Sequence, residues 1–229
     1  MWFDPIYWAF LVPSMAIALY AQFRVMSTFK KYAQVPVDSG MTGAEVAGKI
    51  LQEAGIPDVS IERTQSFLGD HYDPRHKKLV LSPNVYDGNS ISAVGVAAHE
   101  CGHAIQHQVG YAPLHLRMMV VPLTMVTSNM LLPLVFLAFF FRAIPFEWVI
   151  PIAIVTYSVL VVFQLITLPV EFDASARAKV ILSEMGVVNA QEAVGVNKVL
   201  NAAGFTYVAA LITSLIELAY WILRAQQRR

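Results

Sequence analysis

A single cysteine, Cys101, stands in this 229-residue chain, so no intramolecular disulfide can staple the fold. Charge is also scarce: Asp, Glu, Lys and Arg make up 14% of the residues and cancel to a formal net charge of zero. No basic block interrupts that balance, which excludes nucleic acid as a partner. Internal repeats and low-complexity linkers are missing too. The first apolar run lacks the basic leader of a secretory signal, since Met1-Trp2-Phe3-Asp4 carries a carboxylate instead; the run is expected to be an uncleaved anchor.

What is plentiful is apolar surface. Hydrophobic residues form 56% of the chain and the mean hydropathy is +0.54, too apolar for a soluble domain of this length. A multi-pass protein of the cell membrane, in contact with the lipid bilayer, is expected. Four segments carry the excess: Ile6 to Phe23, Met118 to Phe141, Trp148 to Val170 and Phe205 to Leu223. Each is near the roughly 20 residues that cross about 30 Å of hydrocarbon as a helix. The last contains Glu217, and an acid in lipid needs a partner or a wet cavity, so three to four transmembrane helices are expected. Asn129 and Gln164 are expected to glue helices by hydrogen bonds, while Glu217 is open between structure and function.

Lys and Arg set the orientation. Arg24, Lys30, Lys31, Lys49, Arg63, Arg75, Lys77, Lys78 and Arg117 fall between the first two segments, and Arg177, Lys179 and Lys198 follow the third. The positive-inside tendency places residues 24–117 and 171–204 in the cytoplasm, with the amino terminus outside and Arg142 to Glu147 as a short outer loop. A fourth crossing would carry the basic tail from Arg224 to Arg229 outside. Two arrangements therefore stay open for residues 205–223: a packed or half-inserted helix, or a full span outvoted by the larger cytoplasmic charge.

Within the first cytoplasmic stretch lies His99-Glu100-Cys101-Gly102-His103, the H-E-x-x-H pattern of a catalytic zinc helix. A helix turns about 100° per residue, so both imidazoles share one face and can reach one ion. Glu100 projects beside them, placed to take a proton from water at the ion. The local setting is helical: Asp87-Gly88-Asn89-Ser90 supplies a turn and an N-cap, Ile91 to Gln108 reads as helix, and Gly110 stops it. Cys101 lies off the zinc face and reads as a small buried thiol.

Residues 24–117 as a whole read as a small α+β core. Thr42-Gly43-Ala44-Glu45 is a capping box, followed by a helix that turns Val46, Ile50 and Leu51 to the core and ends at Gly55. Val59 to Thr64 and Lys78 to Ser82 alternate as strands around a loop over Gly69 to Pro74. Helix, strand, strand and motif helix follow the order of a zincin-like core, in which a sheet edge can hold extended substrate.

A tetrahedral catalytic zinc needs a third protein ligand. After His103 the candidates are His107, His115, Glu147, Glu171, Asp173, Glu184, Glu192 and Glu217. The membrane removes Glu147, in the outer loop, and Glu217, in an apolar segment. His107 would sit about 12 Å of helical rise from His99. Glu171 and Asp173 remain, just past the third apolar segment, where Leu168-Pro169 opens a helix expected to run to about Met185 and stop at Gly186.

The runs Leu68-Gly69-Asp70-His71-Tyr72-Asp73, Leu81-Ser82-Pro83-Asn84-Val85-Tyr86, Ala97 to Gln106 and Glu171-Phe172-Asp173-Ala174-Ser175-Ala176-Arg177-Ala178 resemble the YugP-type neutral zinc metallopeptidases of bacterial membranes. Val199 to Ala203 and Thr206 to Ala210 extend the likeness over nearly the whole chain. More distantly the arrangement is similar to the HtpX and CAAX prenyl protease group. The resemblance implies His99, His103 and Glu171 as zinc ligands and Glu100 as general base. Where the distant group has an Asp four residues after its ligand Glu, this chain has Ser175.

Motif and resemblance together lead to the expectation of a single membrane-integrated zinc endopeptidase, cutting polypeptide, membrane-bound or membrane-proximal, at the cytoplasmic surface. Its oxyanion donor is open among His71, His76, Arg177, Asn197 and Tyr207. The alternatives are a zinc-binding scaffold or accessory protein without turnover, and a transporter. An intact Glu100 argues against the scaffold, and the absence of paired broken helices argues against the transporter.

Overall fold

The computed structural model describes residues 5–66, 69–140 and 145–227. The expected leader Met1 to Asp4, Leu68 of the family-like run, residues 142–144 of the expected outer loop and the end of the basic tail, Arg228 and Arg229, lie outside the described residues.

The architecture is α+β and mostly helical. In chain order the elements are α1 (Pro5–Tyr32), α2 (Gly43–Glu53), β1 (Ser60–Arg63), β2 (His71–Asp73), β3 (Lys78–Leu81), α3 (Pro83–Tyr86), α4 (Ile91–Gln108), α5 (Ala112–Phe140), α6 (Phe146–Glu184) and α7 (Ala190–Gln226). Among the described residues, four helices are long and apolar enough to cross a membrane: Pro5–Tyr32, Ala112–Leu137, Trp148–Glu184 and Ala190–Gln226. The chain falls into two compact units, one of Met1–Gln22, Leu116–Leu168 and Thr206–Arg229, the other of Phe23–His115 and Pro169–Phe205.

In the first unit a small core gathers Val149, Ile150, Ala153, Tyr220 and Trp221. Tyr7 and Phe10 of α1 stack on Tyr220, with centroids 5.4 and 5.8 Å away. Glu217 of α7 accepts a hydrogen bond from Ser14 Oγ of α1 at 3.2 Å. Of the two amides expected to act as glue, Asn129 is exposed, and Gln164 Oε1 has no hydrogen-bond partner among the described residues.

The second unit is built on α2, α4 and the sheet. The Thr42–Glu45 capping box is complete, each side chain bonded to the other's backbone. Gly55, Gly110 and Gly186 each take positive φ just past a helix end, the left-handed position that favours glycine. Strand order is β1-β3-β2. Central β3 pairs parallel with β1 (Ile61 opposite Leu79) and antiparallel with β2 (Tyr72 opposite Leu79). Alternation along β3 buries Leu79 and Leu81 against a core that includes Val46, Ile50, Val94, Ala97 and Cys101.

Two local expectations are corrected. The loop over Gly69 to Pro74 contains β2, whose three residues are too few to display a period of two; pairing to β3 makes it a strand. The helix expected to open at Leu168 is instead the end of α6, continuous from Phe146. Pro169 withholds one N–H from the ladder, and the flanking turns carry the helix through it.

Candidate metal centre

α4 is made for close approach. Ser90 caps it by accepting from Ala93 N, and the small residues Ala93, Ala97, Ala98, Gly102 and Ala104 lie along its buried length. At Gly102 a Cβ would stand 2.6 Å from the Ala174 carbonyl oxygen and 3.0 Å from its Cα. The absent side chain thus lets the backbone of α6 lie directly on the motif helix, one turn beyond Glu171. Gly102→Ala is expected to force the two apart, costing about 1–3 kcal/mol. Thermal unfolding and zinc content would both fall; if neither changes, the close approach matters to neither stability nor site.

That contact brings three side chains together. His99 and His103, four apart on α4, present rings 4.8 Å apart at an interplanar angle of 81°. Glu171 Oε2 stands 3.2 Å from His99 Nε2 and 3.7 Å from His103 Nε2. One donor atom from each of the three lies within 4.8 Å of the others, a set able to hold a metal ion. Donors about 2.0–2.1 Å from a tetrahedral zinc are separated by roughly 3.3 Å, so this spacing and this N/N/O chemistry fit the ion.

Each imidazole is also held from behind. His99 Nδ1 meets Ser175 Oγ at 3.1 Å, and His103 Nδ1 meets Gln106 Oε1 at 3.0 Å. Such backing bonds fix the ring and would leave Nε2 available to a metal ion. Ser175, four residues after Glu171, thus backs His99 with a neutral hydroxyl. Gln106 and Gly102 received no role from sequence; the one available signal was that Gln106 follows His103 by three residues, one helical turn along the same face.

Burial and charge oppose each other here. Glu171, 2% exposed, would have its carboxyl pushed up by burial; the adjacent His103 and His99 outweigh that and hold it well below the usual carboxylate range. Burial likewise pulls His103 down, but Glu171 and Glu100 beside it win and raise it. Burial, with the charge of Glu100 adding to it, pushes the Cys101 thiol up, and its Sγ contacts Ala47 O at 3.7 Å. It is a buried thiol, as expected.

Several of the other candidates have partners away from this cluster. Asp173 accepts from Arg177 at 2.6 Å and from Gln106 at 2.8 Å. His107 meets the Tyr72 hydroxyl at 2.9 Å, with His115 stacked edge-on beyond it. Glu192 accepts from the backbone of Asp38 and Asn189. Of the oxyanion candidates, His71 bonds Gly69 O, His76 pairs with Asp73, Arg177 with Asp173 and Asn197 donates to Ala193 O; Tyr207 is half-buried on α7. Among the described residues, neither His71 nor His76 joins the three-residue cluster. Glu100 is buried next to it.

Comparison with known proteins gives the same direction. The family described as "Putative neutral zinc metallopeptidase" matches residues 7–226. The chain belongs to this family. It is also similar to "Putative membrane protease YugP" of Bacillus subtilis (strain 168), 45% identical over 212 residues that cover 93% of each chain. No solved structure matches it. Zinc is the metal of the family, and the cluster of His99, His103 and Glu171 suits it.

Proposed function

We propose that this protein is a membrane-bound zinc endopeptidase, with His99, His103 and Glu171 as metal ligands and Glu100 as general base. The observation that carries the reading is the convergence of Glu171 Oε2 on both imidazole Nε2 atoms, 3.2 Å from that of His99, 72 residues away in the chain, and 3.7 Å from that of His103. Zinc, when bound, polarises the scissile carbonyl and acidifies water. The chain's own residues do the rest. Glu100 removes a proton from the attacking water as its oxygen bonds to the carbonyl carbon, and returns that proton to the amide nitrogen as the C–N bond breaks. Ser175 and Gln106 keep the two imidazoles in place, and Glu171 contributes the negative charge among the three ligands. An extended substrate can add to the outer edge of β2, which among the described residues pairs only with β3.

The whole chain is read as one membrane-integrated peptidase, with residues 24–117 and 171–204 on the cytoplasmic side. Glu171 follows directly on the apolar run that ends at Val170, which favours membrane-proximal polypeptides as substrates. Purified protein is expected to cleave a quenched peptide, to lose that activity to a chelator and to regain it with zinc. A scaffold would bind zinc and cleave nothing with or without chelator.

Orientation has its own test. In a Cys101→Ser background, a cysteine placed at Ala143 is expected to react with an impermeant thiol reagent outside intact cells, and one at Gln65 is not. The reverse labelling would invert the assignment.

A further inference from the structure

We propose that Gln106 is a positioning residue for this metal centre, its amide setting the His103 ring from one side while gripping the helix of Glu171 with the other. The inference rests on the metal-ligand reading above and extends it. Gln106 is fully buried, and a buried primary amide must place every polar atom. Its Nε2 lies 2.8 Å from Val170 O and 2.8 Å from Asp173 Oδ2. Both are acceptors only, so the two N–H protons are spent on them and the amide cannot be turned over without setting oxygen against oxygen.

That bookkeeping decides the other end. Oε1 must accept, so the His103 Nδ1 at 3.0 Å must carry the proton. The lone pair of His103 is then on Nε2, the atom that faces Glu171 Oε2. One side chain thereby selects the imidazole tautomer and ties α4 to the residues on either side of Glu171. Asp173, the sequence's rival ligand, becomes an anchor for this amide, itself held by Arg177.

The test uses the full-length protein in detergent, loaded with Co2+ as a probe. Cobalt displaces the ring N–H resonances of its histidine ligands far from the rest of the proton spectrum. Wild-type protein is expected to show two such N–H signals, both slow to exchange with solvent. Gln106→Met, which keeps the volume and removes the hydrogen bonds, is expected to make one of them exchange rapidly and to weaken cobalt binding by about 10–100-fold. Ser175→Ala is expected to release the other signal and so to tell the two apart. A structural tie alone would leave the exchange of the His103 N–H unchanged in Gln106→Met, and that result overturns the proposal. Should Gln106→Met not fold, the wild-type spectrum still decides: two bound histidines with the His103 N–H freely exchanging overturns it as well. Wild-type protein that binds no cobalt overturns the metal-ligand reading itself.

Discussion

Glu100→Gln is expected to bind zinc as fully as the wild type and to hydrolyse peptide more slowly by about 10²–10⁴-fold, enough to abolish measurable turnover. The substitution preserves shape and removes only the capacity to accept a proton. Glu100 is buried beside the cluster, yet it is not one of the three residues whose donor atoms converge. Its role is therefore separable from metal binding. Metal analysis of the purified variant alongside a peptidase assay checks this directly. Zinc lost together with activity would make Glu100 a ligand or a structural support, and activity retained would remove it from the chemistry.

The second large effect is expected at Glu171. Glu171→Ala should lose zinc to an extent comparable with His99→Ala, and by more than the roughly 10–100-fold that outer-shell changes cost. Two facts favour it over Asp173. Its Oε2 meets both imidazoles, whereas the carboxylate of Asp173 is taken up by Arg177 and Gln106. Asp173→Ala should weaken zinc only through Gln106, and so by less than Glu171→Ala. Zinc retained in Glu171→Ala but lost in Asp173→Ala would reverse the assignment.

How much of this can be read in the sequence follows from how local each feature is. The Thr42–Glu45 capping box, the Ser90 cap and the glycines at 55, 110 and 186 are written within a few neighbouring residues, and all are present. The paired histidines are equally local, since helical period alone puts His99 and His103 on one face. Long apolar runs likewise announce the four helices fit to cross a membrane. Tertiary contacts are different. Glu171 and Asp173 lie about 200° apart on one helix, and which of them meets the histidines depends on how α6 lies against α4 at Gly102 and Ala174. Gln106 reaches Val170, 64 residues away, and no local pattern encodes that bond. β2 is too short to carry a period, and its strand character comes from its partner β3.

X-ray absorption at the zinc edge of the purified wild-type protein tests the metal centre most directly. The expected result is one zinc per chain with four nitrogen or oxygen neighbours at about 2.0–2.1 Å, two of them imidazoles, and no sulfur near about 2.3 Å. A sulfur neighbour, which could come from Cys101 or a methionine, or a shell with fewer than two imidazoles, would contradict it.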